Sequence, residues 1–321
     1  MHSRAVTPPL DYANKLLPLI PKREWKTIYF GGGSPGLCEL GPLLEFFKPC
    51  RGGEVEREFT VELHPLDVNE ELLRKLKDGG VNRISMGVQS LNDAVLKDMG
   101  RGYTAAEARK AFEMVARHFD NCGVDFIVGY PGDSVEWWAR AGIPAFQDWG
   151  LKHCSVYTLI LEEGSQLAKR AAVAGRHALP GDDEALEEFG RLREKLEDAG
   201  LRRYEISSFA VPGYECKHNM AVWKGEDYLG VGEGAVSGLN RDEKEQILRL
   251  RTYLGLDASK HEEWWEKLDF FVGQGLLECG AAVAERHALP GDGHVEGERG
   301  RIYYLTKRGA EVCDSILAEI I

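Results

Sequence analysis

Five short runs rich in β-branched and aromatic residues constrain this chain more than any other feature of it. They are Lys26–Phe30, Phe59–Leu63, Arg83–Val88, Val124–Val128 and Ser155–Leu159. Helix-like stretches near residues 11–19, 40–48, 68–78, 91–99, 104–117, 134–147 and 165–173 lie before, between and after them. Strands that alternate with helices must cross from the end of one strand to the start of the next. That connection produces a parallel sheet covered by helices. Thr104 followed by Glu107 predicts a capping box, and Ser90, Asn92 and Asp93 predict a helix start.

Polar and glycine residues collect where these runs end. Gly31-Gly32-Gly33-Ser34 follows the first, Glu62 and His64-Pro65 close the second, and Gln89-Ser90 follows the third. Asp125 lies within the fourth, with Gly129-Tyr130-Pro131-Gly132 after it. In a parallel barrel these ends share one face, and ligands bind there. Each residue taken singly reads as a turn or a cap; four such ends in succession predict a shared site. The triple glycine has two readings, a tight strand-to-helix turn or bare backbone for a ligand to lie against.

A helix near 183–199 leads to Arg202–Ala210, to Pro212–Asn219 and to the glycine-rich Tyr228–Ala235. From about residue 241 the texture is helical, over 242–254, 258–268 and 269–278. A strand at Ile302–Leu305 then meets Thr306, an expected N-cap. Beyond it Ala310, Cys313, Ile316, Leu317 and Ile320 share one helical face. The expected organisation is an α/β partial barrel over residues 1–240 and a small, mainly helical, winged-helix-like domain over 241–321. The heptapeptide RHALPGD occurs twice, at Arg176–Asp182 and Arg286–Asp292, without a physical reason in the sequence.

The 40 basic and 52 acidic residues leave a formal charge of −12, which argues against nucleic acid as a partner. No run of about 18 apolar residues is present to span a membrane. The first nine residues lack the apolar core of a signal peptide, so a cytoplasmic location is expected. The seven cysteines, Cys38, Cys50, Cys122, Cys154, Cys216, Cys279 and Cys313, are spaced widely, as reduced thiols are. None forms CxxC or CxxxC, so no local zinc or iron–sulfur motif is present.

The stretches IYFGGGSPG, VELHPLDVNEELLRKLKDGGVNRISMGVQSLND, LKDMGRGYT, VDFIVGYPG, HCSVYTLILEEGS, RRYEISSFAVPGYECKHNMAVW and YLGVGEGAVSG occur in that order. Together, and more weakly with LTKRG, they resemble the coproporphyrinogen-dehydrogenase-like branch of the radical S-adenosylmethionine (SAM) proteins, and within it the HemW-type haem chaperones. The resemblance implies a (β/α)6 TIM-like radical SAM barrel, partial here because its first strand and cluster loop are not among these residues. It implies SAM as cofactor. Gly32, Gly33 and Ser34 would lie against its methionine part, Glu62 and Asp125 would take sugar or amino groups, Gln89 the polar edge, and Arg101 the carboxylate. The plain alternatives are a surface ion pair for Arg101 and capped strand ends for Glu62 and Asp125.

The same resemblance implies haem. His218-Asn219-Met220-Ala221-Val222-Trp223 is similar to the HNxxYW segment of HemW-type proteins, with Val222 in place of the tyrosine. His218 would ligate the haem iron and Trp223 would offer an apolar plane. Cys216 is an alternative ligand, and a hydrogen-bonded loop histidine is the plain reading. The family further implies a [4Fe–4S] cluster on a CxxxCxxC loop, whose ligands are absent from these residues. The expectation is a longer natural chain that carries that segment; a cluster-less relative is the alternative. These residues alone are expected to be catalytically inactive. The implied function is a haem carrier that delivers to haem-accepting proteins, with any membrane association made through those partners. The alternative is an oxygen-independent coproporphyrinogen III dehydrogenase of porphyrin biosynthesis, which works through a 5′-deoxyadenosyl radical. A third reading is an inactive paralogue that only binds SAM or a partner.

Overall fold

A computed structural model describes residues 11–48, 57–134, 137–159, 167–169, 182–238, 243–280 and 301–320. Cys50, most of the expected 165–173 helix and both RHALPGD copies except Asp182 lie outside the described residues. The chain divides into two compact units, Met1–Leu201 and Arg202–Ile321.

In the first unit β1 (Thr27–Phe30), β2 (Glu58–Leu63), β3 (Arg83–Gln89), β4 (Asn121–Val128) and β5 (His153–Thr158) run parallel, each beside the next. The helices α1 (Tyr12–Leu16), α2 (Gly41–Phe47), α3 (Glu70–Asp78), α4 (Asp93–Asp98), α5 (Ala105–His118), α6 (Ile143–Trp149) and α7 (Asp182–Asp198) precede, intervene or follow. This is the partial α/β barrel expected from the alternation. Among the described residues β1 pairs only with β2 and forms an edge.

Side chains alternate across a strand with period two. One face presents Ile28, Phe59, Val61, Ile84, Met86, Val124, Phe126 and Val156, all buried. Phe126 stacks on Phe146 of α6 at 4.7 Å between ring centroids and meets the Trp138 ring edge-on at 5.4 Å. The opposite face carries Tyr29, Glu58, Thr60, Glu62, Arg83, Ser85, Asn121, Asp125, His153 and Ser155. Barrel interiors are filled for the most part by branched apolar residues; a polar lumen is therefore a departure that points to binding.

Caps fix where the helices start. Thr104 accepts from the Glu107 N–H at 3.2 Å and Glu107 accepts from the Thr104 N–H at 2.7 Å, completing the expected capping box of α5. Asn92 caps α4 and Asn69 caps α3. The expected 134–147 helix is instead a π-helical turn, Trp138–Gly142, followed by α6. Pro144, in the first turn of α6, has no N–H to give to a continuous ladder.

In the second unit β6 (Arg202–Arg203) and β7 (Ser208–Ala210) are antiparallel, followed by α8 (Lys217–Trp223) and a 3₁₀ stretch, Glu243–Arg251. Then come β8 (Leu256–Asp257), α9 (Glu262–Gly273), β9 (Leu277–Gly280), β10 (Ile302–Leu305), α10 (Lys307–Glu311) and α11 (Cys313–Ile320). Strands β8, β10 and β9 form an antiparallel sheet in that order, so this unit holds more sheet than expected. The helices expected over 258–268 and 269–278 are a single helix, α9. Asp257 accepts from the Ser259 N–H at 3.0 Å and holds the chain in a turn, which delays the helix to residue 262. Gly275, with φ +70°, ends it and releases the chain into β9. Trp264, Leu268, Phe271, Tyr303, Ile316 and Leu317 are buried in one core. Residues 202–240, grouped above with the barrel, cluster with this unit. The Tyr253 N–H donates to the Tyr204 carbonyl at 3.2 Å, and the Arg251 guanidinium lies 4.5 Å from the Trp223 ring centre.

Candidate functional site

At the C-terminal ends of the strands Gly32 and Glu62 meet, with the Asp125 charge close to Glu62; Gln89 ends β3, and Arg101 follows α4. Gly32 has φ +79° and its N–H donates to Glu62 at 3.2 Å. A Cβ on Gly31 would fall 2.8 Å from the Tyr29 ring and 3.0 Å from the Glu62 carboxyl, whereas one on Gly32 would meet nothing within 4 Å. The glycine run is thus both a turn that excludes side chains and an open backbone surface. Ser34 ends the run, and its carbonyl accepts from the Leu37 N–H at 3.0 Å. Gly33 is exposed beside it.

Glu62 also accepts from the Tyr29 hydroxyl at 2.7 Å. Burial pushes its carboxyl above the usual range; the Tyr29 hydroxyl draws it back and the Asp125 charge adds to the rise. Asp125 accepts from the Ser85 hydroxyl at 3.1 Å, and its carboxyl is also raised by burial, against the pull of Ser155, Arg83 and Ser85. Two carboxylates short of their full ionisation energy in water are poised for hydroxyl and ammonium donors of a ligand.

Gln89 has φ +73°, the only non-glycine with positive φ among the described residues. Such a backbone costs roughly 1–3 kcal/mol and persists where surroundings enforce it. Here the pairing of β3 with β4 shifts register between Gly87 and Gln89, and the buried Tyr103 hydroxyl donates to the carbonyls of Gly87 and Val88 at 3.1 and 3.0 Å. Burial raises the Tyr103 phenol to about 12, with the nearby Arg101 charge opposing that rise. The half-buried Arg101 has its Nε inaccessible to solvent and without a hydrogen-bond partner. A planar fork with an unfilled buried donor suits a ligand carboxylate.

The open glycine backbone, the two raised carboxylates and the orphaned Arg101 Nε therefore fit SAM. A [4Fe–4S] cluster has no such fit. The 321 residues contain no CxxxCxxC, and no three His, Cys, Asp or Glu side chains among the described residues could hold a metal ion together.

The haem candidates lie in the second unit. His218 is the second residue of α8 and half-buried. Trp223 stands five residues on, about 140° around the helix axis from His218, so the two do not share a helix face. One side of the Trp223 ring is already occupied by Arg251. Cys216 is fully buried.

Sequence reasoning missed Tyr29, Arg83, Ser85, Tyr103, His153 and Ser155. The signal was present in β3, where RISMGVQ places Arg, Ser, Gly and Gln at every second position.

The fold, with the comparisons to known proteins, defines a protein of the radical SAM class. Residues 3–141 match the model of the radical SAM superfamily. The chain is 30% identical over 316 residues to heme chaperone HemW of Mycobacterium tuberculosis, covering 92% of this chain and 80% of that protein. It is 36% identical over 214 residues to heme chaperone HemW of Lactococcus lactis, covering 65% of this chain and 56% of that one. The chain belongs to the HemW family. Coproporphyrinogen III oxidase (HemN) of Escherichia coli, a radical SAM enzyme, shares the fold with a TM-score of 0.71 at 18% identity, over 99% of this chain and 84% of that one. No helix among the described residues is long and apolar enough to cross a membrane.

Proposed function

We propose that this chain is a haem carrier that holds haem through the second unit, with SAM at the strand ends of the first, and passes haem to haem-accepting proteins. The observation that carries the reading is the 30% identity to the Mycobacterium tuberculosis heme chaperone HemW over 92% of this chain. A cytoplasmic location goes with it. Coproporphyrinogen decarboxylation finds less support, because an 18% likeness to HemN speaks for architecture alone.

Haem titration followed in the Soret region tests the cargo. His218→Ala should weaken binding by at least the roughly tenfold that loss of even an outer-shell partner costs a metal site. Haem binding that is absent from the wild type, or unchanged in His218→Ala, removes the reading.

Equilibrium dialysis tests the cofactor. Truncating one member of a hydrogen-bonded charge pair costs about 2 kcal/mol or more, so Arg101→Ala should weaken SAM binding by about thirtyfold. 5′-Methylthioadenosine, which lacks the carboxylate, should bind both forms equally. Equal losses for both ligands would show that Arg101 supports the fold and not the carboxylate.

A further inference from the structure

Among the described residues Arg83 is the bulkiest of the fully buried side chains, 1% exposed. It opens β3 on the lumen face, two residues before the Ser85 that donates to Asp125. Its register neighbours are Thr60 on β2 and Asn121 on β4. Taking a guanidinium out of water is costly unless opposite charge faces it.

The strands show what faces it. On the lumen side β1 contributes Tyr29, β2 contributes Glu58 and Glu62, β4 contributes Asp125, and β5 contributes His153 and Tyr157. His153 supplies no charge: burial, with Arg83 beside it, holds its imidazole well below the usual range and neutral. A Cβ on Gly123 would lie 2.7 Å from His153 Nδ1, so this ring leans across β4 towards β3. Cys122 and Cys154, on the opposite face, are held protonated by burial. Strands β1 to β5 place no second cation on the lumen face.

We propose that Arg83 is a positioning residue whose buried charge keeps the lumen carboxylates, Asp125 foremost, ionised and able to accept hydrogen bonds from a ligand at the strand ends. Burial drives Asp125 towards its protonated form, and a protonated carboxyl would donate where the ligand hydroxyl or ammonium needs an acceptor. Ser85 and Ser155 oppose that drift with hydrogen bonds; Arg83 opposes it with charge. The consequence for SAM rests on the site reading above, but the charge itself is read without any ligand.

The test is the carboxyl titration of Asp125 in the full chain labelled with 13C-aspartate, with Asp125→Asn to assign the resonance. Arg83→Met should raise the Asp125 midpoint by at least about one pH unit, a tenfold change in its acid constant. Arg83→Lys, which keeps the charge, should restore most of it; a purely structural role would not give that rescue. Arg83→Gln, neutral but still able to hydrogen-bond, serves if the methionine variant does not fold. A midpoint unchanged in the neutral variants overturns the inference, even where the wild type binds SAM. Wild-type chain that binds no SAM overturns the site reading instead, and the Asp125 midpoint still decides the role of Arg83.

Discussion

Gly309→Ala should cost the second unit about 3 kcal/mol or more, the upper end of what forced overpacking costs. Gly309 lies in α10, in the LTKRG stretch, and nothing in the sequence says why it is glycine. The structure does. A Cβ there would land on the Leu276 carbonyl oxygen and 2.7 Å from its carbon. That oxygen cannot move aside, because it accepts from the Thr306 N–H at 3.0 Å and from the Thr306 hydroxyl at 3.1 Å. The same Thr306 caps α10 by accepting from the Gly309 N–H at 3.0 Å. Relief would therefore require breaking the cap or the link to the turn after α9. Gly273 is the matched control. It is the last residue of α9, and a Cβ there meets nothing within 4 Å. Gly273→Ala should be neutral or stabilise by up to about 1 kcal/mol, since alanine is the better helix former. Urea unfolding followed by tryptophan fluorescence, with Trp264 and Trp265 in α9 as reporters, separates the two. Equal stability of the two variants would mean that the α10 backbone yields at little cost.

The unequal legibility of the two units has a physical cause. Parallel strands announce themselves through β-branched runs that stop at glycine or polar residues, and all five of β1 to β5 were readable to within three residues. The start of β4 at Asn121 was missed because Asn121-Cys122-Gly123 reads as a turn; pairing with Arg83 and Ser85 of β3 makes it strand. Gly32, Glu62 and Gln89 stood out because each breaks an apolar pattern where a strand ends, and Asp125 because it breaks one from within; Arg101, which follows α4, was singled out by the family resemblance alone. Those deeper in the lumen were not, because Arg83 opens the third run and His153 precedes the fifth, so neither interrupts an apolar pattern. The strain at Gln89 comes from a register shift and from Tyr103 fourteen residues later, which are tertiary events. In the second unit a turn made by Asp257 and a glycine stop replaced two expected helices with one.

Asp133 should make the first unit lose stability as pH rises through 6. It directly follows the Gly129–Gly132 stretch after β4, is 8% exposed, and accepts from the Ser90 hydroxyl at 3.0 Å. Its Oδ1 is buried without a hydrogen-bond partner. Burial pushes its carboxyl up to about 6, against the pull of Ser90 and Asn92. The folded state thus binds this proton more tightly than the unfolded chain does, whose aspartate titrates near 3.9. The stability it contributes is complete below about pH 3.9 and is lost as pH rises through about 6. Two units correspond to about 3 kcal/mol. Asp133→Asn removes the titration, so relative to the wild type it should gain up to about 3 kcal/mol between pH 4 and pH 7, most steeply near pH 5, midway between the two midpoints. Urea midpoints for both proteins across that range measure the difference. A gap independent of pH would mean that Asp133 stays ionised in the fold at little cost. The position gives the cost its meaning. Ser90 directly follows the strained Gln89, and Asn92 donates to the Gly132 carbonyl at 3.2 Å, so Asp133 joins the loops after β3 and β4 at the mouth of the lumen. At neutral pH that join holds a strained residue in place with a carboxylate that would be more stable in water. Sites held for binding accept such losses where ordinary core does not.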